Sequence, residues 1–384
     1  MKILVIGTGM YTTGRNTEGY GTIFPSIIEF QRANNLRKLE VIFVGQNFSN
    51  SPQSKKKISR ALKISGLKFK VKFYPNKKNL YNYKTVLNKE KNINCAIVAV
   101  PDHLHYKVVN DCLNYNLHTL VVKPFTTKTK DAKKLISKKK RKKIHGMVEF
   151  HKRFDKHNII LKNIYESQKL GKPLYFNVEY SQKKIVPEKV FRKWSDKTNI
   201  LQYLGVHYID LVYFITKATP QRVTAMGQKN WLVKKGINTF DSIQCLIEWK
   251  TKSNIKFNQT LVVNWIDPNN SSSISYQKIK FCGTKGNYES DQKSRGIKII
   301  SDDSNYQEPN PDFCQFFYFD GHAEWKGYGI ESVVNFLDNI NKSKLFKIFN
   351  SSAARFEDAL VSTAVVEAAS KSLKKNSIWQ KINF

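Results

Sequence analysis

The sequence predicts an α/β chain, in which an open, doubly wound parallel sheet is followed by an α+β domain with a large, mainly antiparallel open sheet. Two observations predict this fold class. In the first third, short apolar strand candidates alternate with helix-length spacers, and several are apolar on both faces, as a parallel sheet covered by helices requires. In the remaining two-thirds, strand candidates alternate apolar and polar residues, which is typical of antiparallel sheets with one covered face.

The chain of 384 residues is long enough for two domains. We predict one domain over residues 1–124 and a second over 125–384. A short strand at 144–150 belongs to the second domain in this interpretation, and an amphipathic, alanine-rich helix at about 353–374 ends it. The parallel strand candidates of the first domain are 2–7, 39–45, 68–74, 94–100 and 118–122.

The composition is that of an ordinary globular protein, with 41% hydrophobic and 25% charged residues. No apolar run approaches the roughly 18 residues that span a bilayer. The apolar start breaks at Gly7 with no cleavage-site pattern, which indicates a strand and not a signal peptide. The five cysteines form no CxxC pair and the histidines have no metal spacing, so we expect a cytoplasmic protein with neither a disulfide framework nor a metal site.

The formal net charge is +35, from 65 Lys+Arg against 30 Asp+Glu. Lysine supplies nearly all of the surplus, and its abundance beside asparagine and isoleucine is typical of AT-rich codon usage. The lysine runs at 55–57 and 133–143 lack the interleaved aromatic residues that stack on bases. We therefore interpret these runs as solvated helix faces, and rank a nucleic-acid-binding function last. The positive field would still favour anionic substrates.

The first strand candidate ends in Gly-Thr-Gly at 7–9, where glycines permit a tight turn and close approach to a pyrophosphate. Thr12 stands where a third glycine is usual, and the following helix begins late, near 21–30. The segment between them is predicted to be an enlarged phosphate loop. The alternative is a strand-to-helix turn without a ligand. The candidate dinucleotide contacts in this loop are Gly7, Thr8, Gly9, Met10, Tyr11 and Arg15.

The ends of two further strands carry candidate cofactor residues. Gln46 and Asn47 follow the second strand, where a preference for NAD usually needs an acidic residue. With the lysines at 55–57 behind them, they favour NADP slightly. Pro101 follows the fourth strand, and His105 would lie on the first turn of the next helix, close to the crevice. A capping or packing histidine is the alternative.

A helix predicted at 199–215 carries Tyr203, His207 and Asp210 at spacings i, i+4 and i+7, so they would share one face. Three hydrogen-bonding groups in line suit a substrate pocket. The alternative is a satisfied core histidine with a capping role for Asp210.

The fifth strand ends in Leu-Val-Val-Lys-Pro-Phe, which places Lys123 at the carboxyl end of a parallel sheet, where ligands bind. Burial there would lower the lysine pKa toward a range useful for proton transfer. The motifs that carry a family resemblance are Gly7-Thr8-Gly9, Pro101 with His105, Lys123-Pro124, EFHKRF (149–154) and GVHYID (205–210).

In this order, these motifs resemble the Gfo/Idh/MocA family of oxidoreductases over essentially the whole chain. The resemblance implies an NAD(P)-binding Rossmann domain followed by a substrate-binding and oligomerisation domain. It matches Lys123 to the family's catalytic lysine and His207 to its active-site histidine. Two positions depart from the family pattern: Val122 replaces a glutamate before the lysine, and Tyr203 replaces an aspartate that many members have four residues before the histidine.

The predicted function is NAD(P)-dependent hydride transfer between nicotinamide and a secondary alcohol or ketone of a sugar, cyclitol or sugar nucleotide. Lys123, His207 and Tyr203 are the catalytic candidates, and Lys123 is also a candidate cofactor contact at the nicotinamide end. We expect a homodimer or homotetramer through the second sheet, without a membrane or nucleic-acid partner. The alternative is a non-catalytic dinucleotide-binding sensor or regulator on the same fold. Further substrate-pocket candidates are Arg153, Trp194, Asn199, Asp210 and Trp265.

Overall fold

The computed structural model describes residues 1–342 and 352–384 and divides into two compact units. Each unit is made of three chain segments, whereas the sequence prediction had a single boundary after residue 124. The first unit comprises Met1–Phe125, Asp131–Asp155 and Asp312–Phe356. The second unit comprises Thr126–Lys130, Lys156–Pro311 and Glu357–Phe384.

The elements are numbered in chain order over the described residues. The helices are α1 (Met10–Thr13), α2 (Ile23–Asn34), α3 (Ser51–Ser65), α4 (Tyr83–Lys89), α5 (His105–Asn114), α6 (Thr129–Arg141), α7 (Lys156–Glu166), α8 (Val206–Thr216), α9 (Trp231–Lys234), α10 (Tyr328–Lys342) and α11 (Phe356–Lys374). The strands are β1 (Lys2–Ile6), β2 (Glu40–Val44), β3 (Lys70–Tyr74), β4 (Cys95–Val98), β5 (His118–Val122), β6 (Gly146–Glu149), β7 (Pro173–Lys183), β8 (Thr219–Gln228), β9 (Ser242–Lys250), β10 (Lys256–Asp267), β11 (Ser275–Gly283), β12 (Gly286–Asp291), β13 (Ile299–Ser301), β14 (Ser304–Gln307), β15 (Gln315–Phe319), β16 (His322–Lys326), β17 (Ala354–Arg355) and β18 (Gln380–Lys381).

The first unit contains a sheet in the order β17-β6-β5-β4-β1-β2-β3 among the described residues. Its neighbours pair in parallel, except that β17 runs antiparallel to β6. The predicted parallel sheet is therefore confirmed, and all of its five predicted strands are present. The short strand predicted at 144–150 joins this sheet as β6, next to β5, and so extends the first unit beyond residue 124.

Burial on both faces explains why this segment folds as a parallel sheet. Successive residues of β1, Ile3 to Ile6, point to opposite faces, and all are buried. On one face, Ile3 and Val5 join a core cluster with Phe24 of α2 and Phe336 of α10. β1 therefore loses apolar surface on both faces, which is the main favourable term for a strand in the middle of this architecture.

The strand order fixes where this sheet opens. From β1 the chain proceeds outward through β2 and β3, and then returns to place β4, β5 and β6 on the other side of β1. The connections therefore diverge at β1 and β4, and a crevice forms outside the carboxyl ends of these strands. The turn after β1, the turn after β4 and the end of β5 all lie along this edge.

The second unit contains a sheet in the order β12-β11-β7-β10-β9-β8-β18, within the described ranges. Pairing is antiparallel except between β7 and β10. Along β9, fully buried residues alternate with partly exposed ones, so one face is covered and the other is open. This confirms the predicted large, mainly antiparallel sheet.

Two predicted helices differ in detail. The helix predicted from residue 353 begins at Phe356, because Ala354 and Arg355 pair with β6 as β17. The helix predicted at 199–215 is not uniform, since Leu201–Gly205 forms a wide π-helical turn before α8. A π turn closes hydrogen bonds from i to i+5, so the i, i+4 spacing of an α-helix does not hold through it.

Candidate functional site

The turn after β1 has two glycines that serve different purposes. Gly7 adopts a φ of 107°, and a Cβ there would lie 1.9 Å from the carbonyl oxygen of Ala99. The fold therefore needs glycine at this position. Gly9 has an extended backbone that other residues also adopt, and a Cβ there would meet no atom within 4 Å. Because Gly9 follows the carboxyl end of β1, the open space beside it fits the approach of a dinucleotide phosphate.

Side chains of α3 hold the loop that follows. Ser54 Oγ donates to the carbonyl oxygen of Thr8 at 3.0 Å, and Lys57 Nζ donates to three successive loop carbonyls, at 2.7, 2.8 and 2.9 Å. The loop contains the short helix α1, which includes Met10 and Tyr11. Arg15 lies half-buried after it, and burial lowers the pKa of its guanidinium group. Its contact with a phosphate stays a prediction.

The end of β2 carries amides and not a carboxylate. Gln46 and Asn47 follow β2 and are exposed. The lysines behind them have other contacts, since Lys57 binds the loop carbonyls and Lys55 Nζ lies 5.4 Å from the ring centroid of Phe73. Support for a 2′-phosphate therefore comes from the missing carboxylate more than from these two lysines.

The turn after β4 is tied to the end of β5 by His105. This histidine begins α5 and is fully buried. Its Nδ1 lies 2.6 Å from the carbonyl oxygen of Pro124, and its Nε2 lies 2.8 Å from that of Val100. These contacts favour the packing alternative for His105, which holds the Lys-Pro turn beside Pro101. A direct contact between His105 and a cofactor stays a prediction.

Lys123 follows β5 directly, and its peptide bond to Pro124 is cis. Burial lowers the pKa of its ammonium group to about 8, while the charges of Asp102 and Glu149 act to raise it. Asp102 follows β4 and Glu149 ends β6, so both carboxylates come from neighbouring strand ends. A lysine with this pKa carries positive charge at neutral pH and also gives up a proton readily.

The sequence prediction missed a buried polar cluster at this edge. His151 Nδ1 lies 3.1 and 3.2 Å from the two carboxylate oxygens of Glu149, and the hydroxyl of Tyr11 lies 3.3 Å from the same nitrogen. Burial raises the pKa of Tyr11 well above its usual value, and the charge of Glu149 and a hydrogen bond to it raise it further. The signal in the sequence was an acidic residue, Glu149, within the short apolar strand predicted at 144–150.

Arg153 lies close to this cluster in the sequence but is buried in the first unit. It is 1% exposed, and its Nη1 donates to the carbonyl oxygen of Ala353 at 3.4 Å. This hydrogen bond ties the segment after β6 to the residue before β17 within the first unit. Its predicted contact with substrate is not tested by this geometry.

In the second unit, Tyr203 lies within an aromatic cluster that contains two further predicted residues. Its ring centroid lies 4.9 Å from Phe191, 6.0 Å from Trp194 and 5.7 Å from Trp265. Edge-to-face and tilted pairs of this kind stabilise a structure by about 0.5–1.5 kcal/mol each beyond their burial. The ring of Tyr203 is therefore fixed by packing, and Trp194 and Tyr203 remain partly exposed.

Two other predicted pocket residues of this unit have structural contacts. Trp265 is fully buried, and its Nε1 donates to Gln182 Oε1 at 3.1 Å. The side-chain oxygen of Asn199 accepts a hydrogen bond from the backbone N–H of Gln202 at 2.9 Å, at the start of the π-helical turn. Each contact explains its residue without a ligand, so their substrate roles stay predictions.

His207 and Asp210 lie on α8 and are almost completely buried, at 2% and 1% exposure. The ring of His207 lies 6.4 Å from that of Tyr180, whose pKa burial raises. Because Tyr203 lies in the π-helical turn and His207 beyond it, the two residues do not have the simple α-helical relation that the spacing predicted.

Within the part of the chain that the structure describes, no group of three His, Cys, Asp or Glu side chains is arranged to hold a metal ion. In those same residues, no helix has the length and apolarity needed to cross a membrane.

Comparison with known proteins identifies the class of protein and then its family. A family model described as an oxidoreductase family with an NAD-binding Rossmann fold matches residues 1–150. A second model, of the Gfo/Idh/MocA C-terminal domain, matches residues 160–289. The chain belongs to the Gfo/Idh/MocA family, which confirms the resemblance drawn from its motifs.

Curated relatives match part of the chain. An uncharacterised oxidoreductase of Schizosaccharomyces pombe is 32% identical over 158 residues, which are 40% of this chain and 41% of that protein. Inositol 2-dehydrogenase of Salmonella typhimurium is 26% identical over 139 residues, which are 36% of this chain and 39% of that protein. The matched segments thus span less than half of either relative.

A solved structure matches the full chain. Scyllo-inositol dehydrogenase from Lactobacillus casei, with bound NAD(H) and scyllo-inositol, is 14% identical and superposes with a TM-score of 0.68 over 99% of this chain and 98% of that one. At this identity the likeness shows the fold.

Proposed function

We propose that the protein is an NAD(P)-dependent oxidoreductase that transfers hydride between nicotinamide and a secondary alcohol or ketone of a sugar-like substrate. The observation that carries this proposal is Lys123, with its pKa of about 8, at the carboxyl edge of a family-typical NAD-binding sheet. Perturbed lysines in such crevices are candidates for functional groups. The open space beside Gly9 and the oxidoreductase family of the chain support the same function.

The residues have distinct proposed roles. When bound, NAD(P) supplies the hydride acceptor or donor. Lys123 Nζ provides positive charge and hydrogen bonds where negative charge develops on the substrate oxygen. His207 is the candidate acid or base for the hydroxyl proton, a role carried over from the family pattern. Tyr203 donates a hydrogen bond to the substrate oxygen or relays the proton.

For the cofactor, we keep a slight preference for NADP over NAD as a proposal. Gln46 and Asn47 in place of an acidic residue support it, because a carboxylate after β2 would repel a 2′-phosphate. The preference is weakened because Lys57 already donates its hydrogen bonds to loop carbonyls. Fluorescence titration with NADH and NADPH tests the preference, and clearly tighter binding of NADH would refute it.

For the substrate, we propose a sugar, a cyclitol or a sugar nucleotide. Matches to inositol dehydrogenases support the cyclitol and sugar classes. The positive net charge of +35 suits an anionic form such as a sugar nucleotide. A homodimer or homotetramer through the open face of the second sheet, and a cytoplasmic location, stay predictions.

The test is turnover. Purified protein with NAD⁺ or NADP⁺ is offered a panel of cyclitols, sugars and sugar nucleotides, and formation of reduced nicotinamide is followed by absorbance. We expect reduction with at least one class of substrate. Tight dinucleotide binding without reduction over the whole panel, and without oxidation of NADH or NADPH by the matching ketones, would favour the non-catalytic sensor.

A further inference from the structure

Glu149 is a buried carboxylate for which the proposed hydride transfer has so far no role. It ends β6 and is 1% exposed. In the parallel register, Glu149 is the partner of Val122, the residue before Lys123. The carboxylate of Glu149 therefore lies beside the end of β5, where β5 carries the apolar side chain of Val122.

Two polar side chains hydrogen-bond to this carboxylate, His151 and Tyr11. Both oxygens of Glu149 lie within 3.2 Å of His151 Nδ1, and the hydroxyl of Tyr11 lies 3.3 Å from that nitrogen. The ring of His151 is packed in turn against Phe313 and Tyr328, at centroid distances of 5.0 and 5.7 Å. The position of the carboxylate is thus fixed by side chains from two places, His151 just after β6 and Tyr11 in the loop after β1.

A buried carboxylate is costly unless it is paired or hydrogen-bonded, so its position calls for an explanation. The contacts with His151 and Tyr11 account for its hydrogen bonds but not for its place beside a strand end that carries a lysine. Asp102 is the other carboxylate that acts on Lys123, and it approaches from the turn after β4. The two carboxylates therefore come from strand ends on either side of β5.

We propose that Glu149 is a positioning residue that supplies, from the neighbouring strand, the carboxylate that Val122 does not provide, and thereby holds the ammonium group of Lys123 in its charged form at the carboxyl end of β5. The functional meaning of this role depends on the hydride-transfer function proposed above, whereas the electrostatic link between Glu149 and Lys123 does not.

The electrostatic consequence has a definite sign. Burial lowers the pKa of Lys123, and Glu149 and Asp102 oppose that effect. Other polar groups near this edge are Tyr11, His105 and His151, and two buried cations, Lys152 and Arg153, follow Glu149 along the chain. Removing the charge of Glu149 therefore lowers the pKa of Lys123 further, so that less of the lysine is charged at neutral pH.

The experiment measures the lysine itself. The full chain is labelled with trace acetic anhydride over a range of pH without substrate, and acetylation of Lys123 is quantified by mass spectrometry against exposed lysines of the same sample. In Glu149→Gln, we expect the titration midpoint of Lys123 to move to lower pH by about 0.5–1 unit, which is about a three- to ten-fold increase in the neutral fraction below the midpoint.

Three further variants sharpen the result. Asp102→Asn removes the second carboxylate and should shift the midpoint in the same direction. Glu29→Gln removes a carboxylate that is buried in α2 and should leave the midpoint unchanged. Glu149→Asp keeps the charge and should restore most of the parent midpoint, which also provides a test if Glu149→Gln does not fold.

An unchanged midpoint in folded Glu149→Gln, or a full shift in Glu149→Asp, would overturn the proposal. Its failure is distinct from failure of the proposed function, because labelling needs no turnover. A shifted midpoint in a protein that reduces no nicotinamide would keep the role of Glu149 and reject hydride transfer. For a substrate that is turned over, the pH profile of kcat should move with the labelling midpoint.

Discussion

The carboxyl edge of the first sheet and the aromatic cluster of the second unit are built from opposite chemistry. At the edge, the carboxylates of Glu149 and Asp102 are buried and Lys123 is half-buried, and the partial loss of water around these ionisable groups costs free energy. Around Tyr203, packed rings stabilise the fold directly. Ionisable groups clustered at the carboxyl end of a parallel sheet therefore point to function more strongly than an aromatic cluster that packing already explains.

The largest expected effect is the loss of activity when the charge of Lys123 is removed. Lys123→Met should lower kcat about a thousand-fold, because the variant loses both charge and hydrogen bonds at the developing negative oxygen. Its dinucleotide affinity, measured by fluorescence titration, should stay close to that of the parent. Lys107→Met, which changes an exposed lysine of α5, is the control. Equal kcat values for Lys123→Met and the parent would exclude the role assigned to Lys123.

A second prediction separates a glycine that the fold needs from one that a ligand needs. Gly7→Ala should lower the free energy of unfolding by about 2–4 kcal/mol, since its Cβ would collide with Ala99 at a positive φ. Gly9→Ala should change stability by less than about 0.5 kcal/mol and weaken dinucleotide binding about ten-fold, because its methyl group enters the open space. Chemical denaturation and fluorescence titration measure the two effects. Unchanged binding by Gly9→Ala would contradict the phosphate position.

A third prediction divides the ring of Tyr203 from its hydroxyl. Tyr203→Phe should keep stability within about 1 kcal/mol and lower kcat about ten-fold, because it removes only the proposed proton donor. Tyr203→Leu should also destabilise the protein by about 1–3 kcal/mol, since the ring contacts with Phe191, Trp194 and Trp265 are lost. If Tyr203→Phe turns over as fast as the parent, Tyr203 only packs and its hydroxyl takes no part in the reaction.

The same contrast explains how much the sequence could predict. The parallel strands were recognisable because residues such as Ile3 to Ile6 are apolar on both faces, and Lys123 stood out at the end of such a strand. The link of Tyr11 to His151 was not recognisable, because residues 140 positions apart meet only once the strand order is known. The strand order of a sheet follows from packing over the whole unit, and not from local residue preferences.

Local patterns failed where tertiary contacts override them. The spacing of Tyr203 and His207 predicted a shared α-helical face, but the π-helical turn at Leu201–Gly205 adds a residue to that turn. The lysines at 55–57 were interpreted as one solvated group. The structure gives Lys57 three backbone acceptors in the loop between α1 and α2, which no periodicity in the sequence reveals.

The central claim is that the half-buried Lys123 lowers the stability of the folded protein at neutral pH, because its charged ammonium group is poorly solvated at the carboxyl edge. Its pKa of about 8 lies below the usual 10.5, so below pH 8 the charged ammonium group destabilises the folded chain relative to the unfolded chain. Between about pH 8 and 10.5, only the unfolded chain keeps that proton, so the stability of the parent rises with pH. Above 10.5 the cost is gone.

The most direct measurement is the free energy of unfolding of the parent and of Lys123→Met, by urea denaturation across this pH range. We expect the variant to be more stable at pH 7 by about 1–2 kcal/mol, after allowance for partial screening by solvent. The difference should shrink as pH rises through 8 and vanish near 10.5. A parent that is as stable as the variant at pH 7, or a difference that does not change with pH, would contradict the claim.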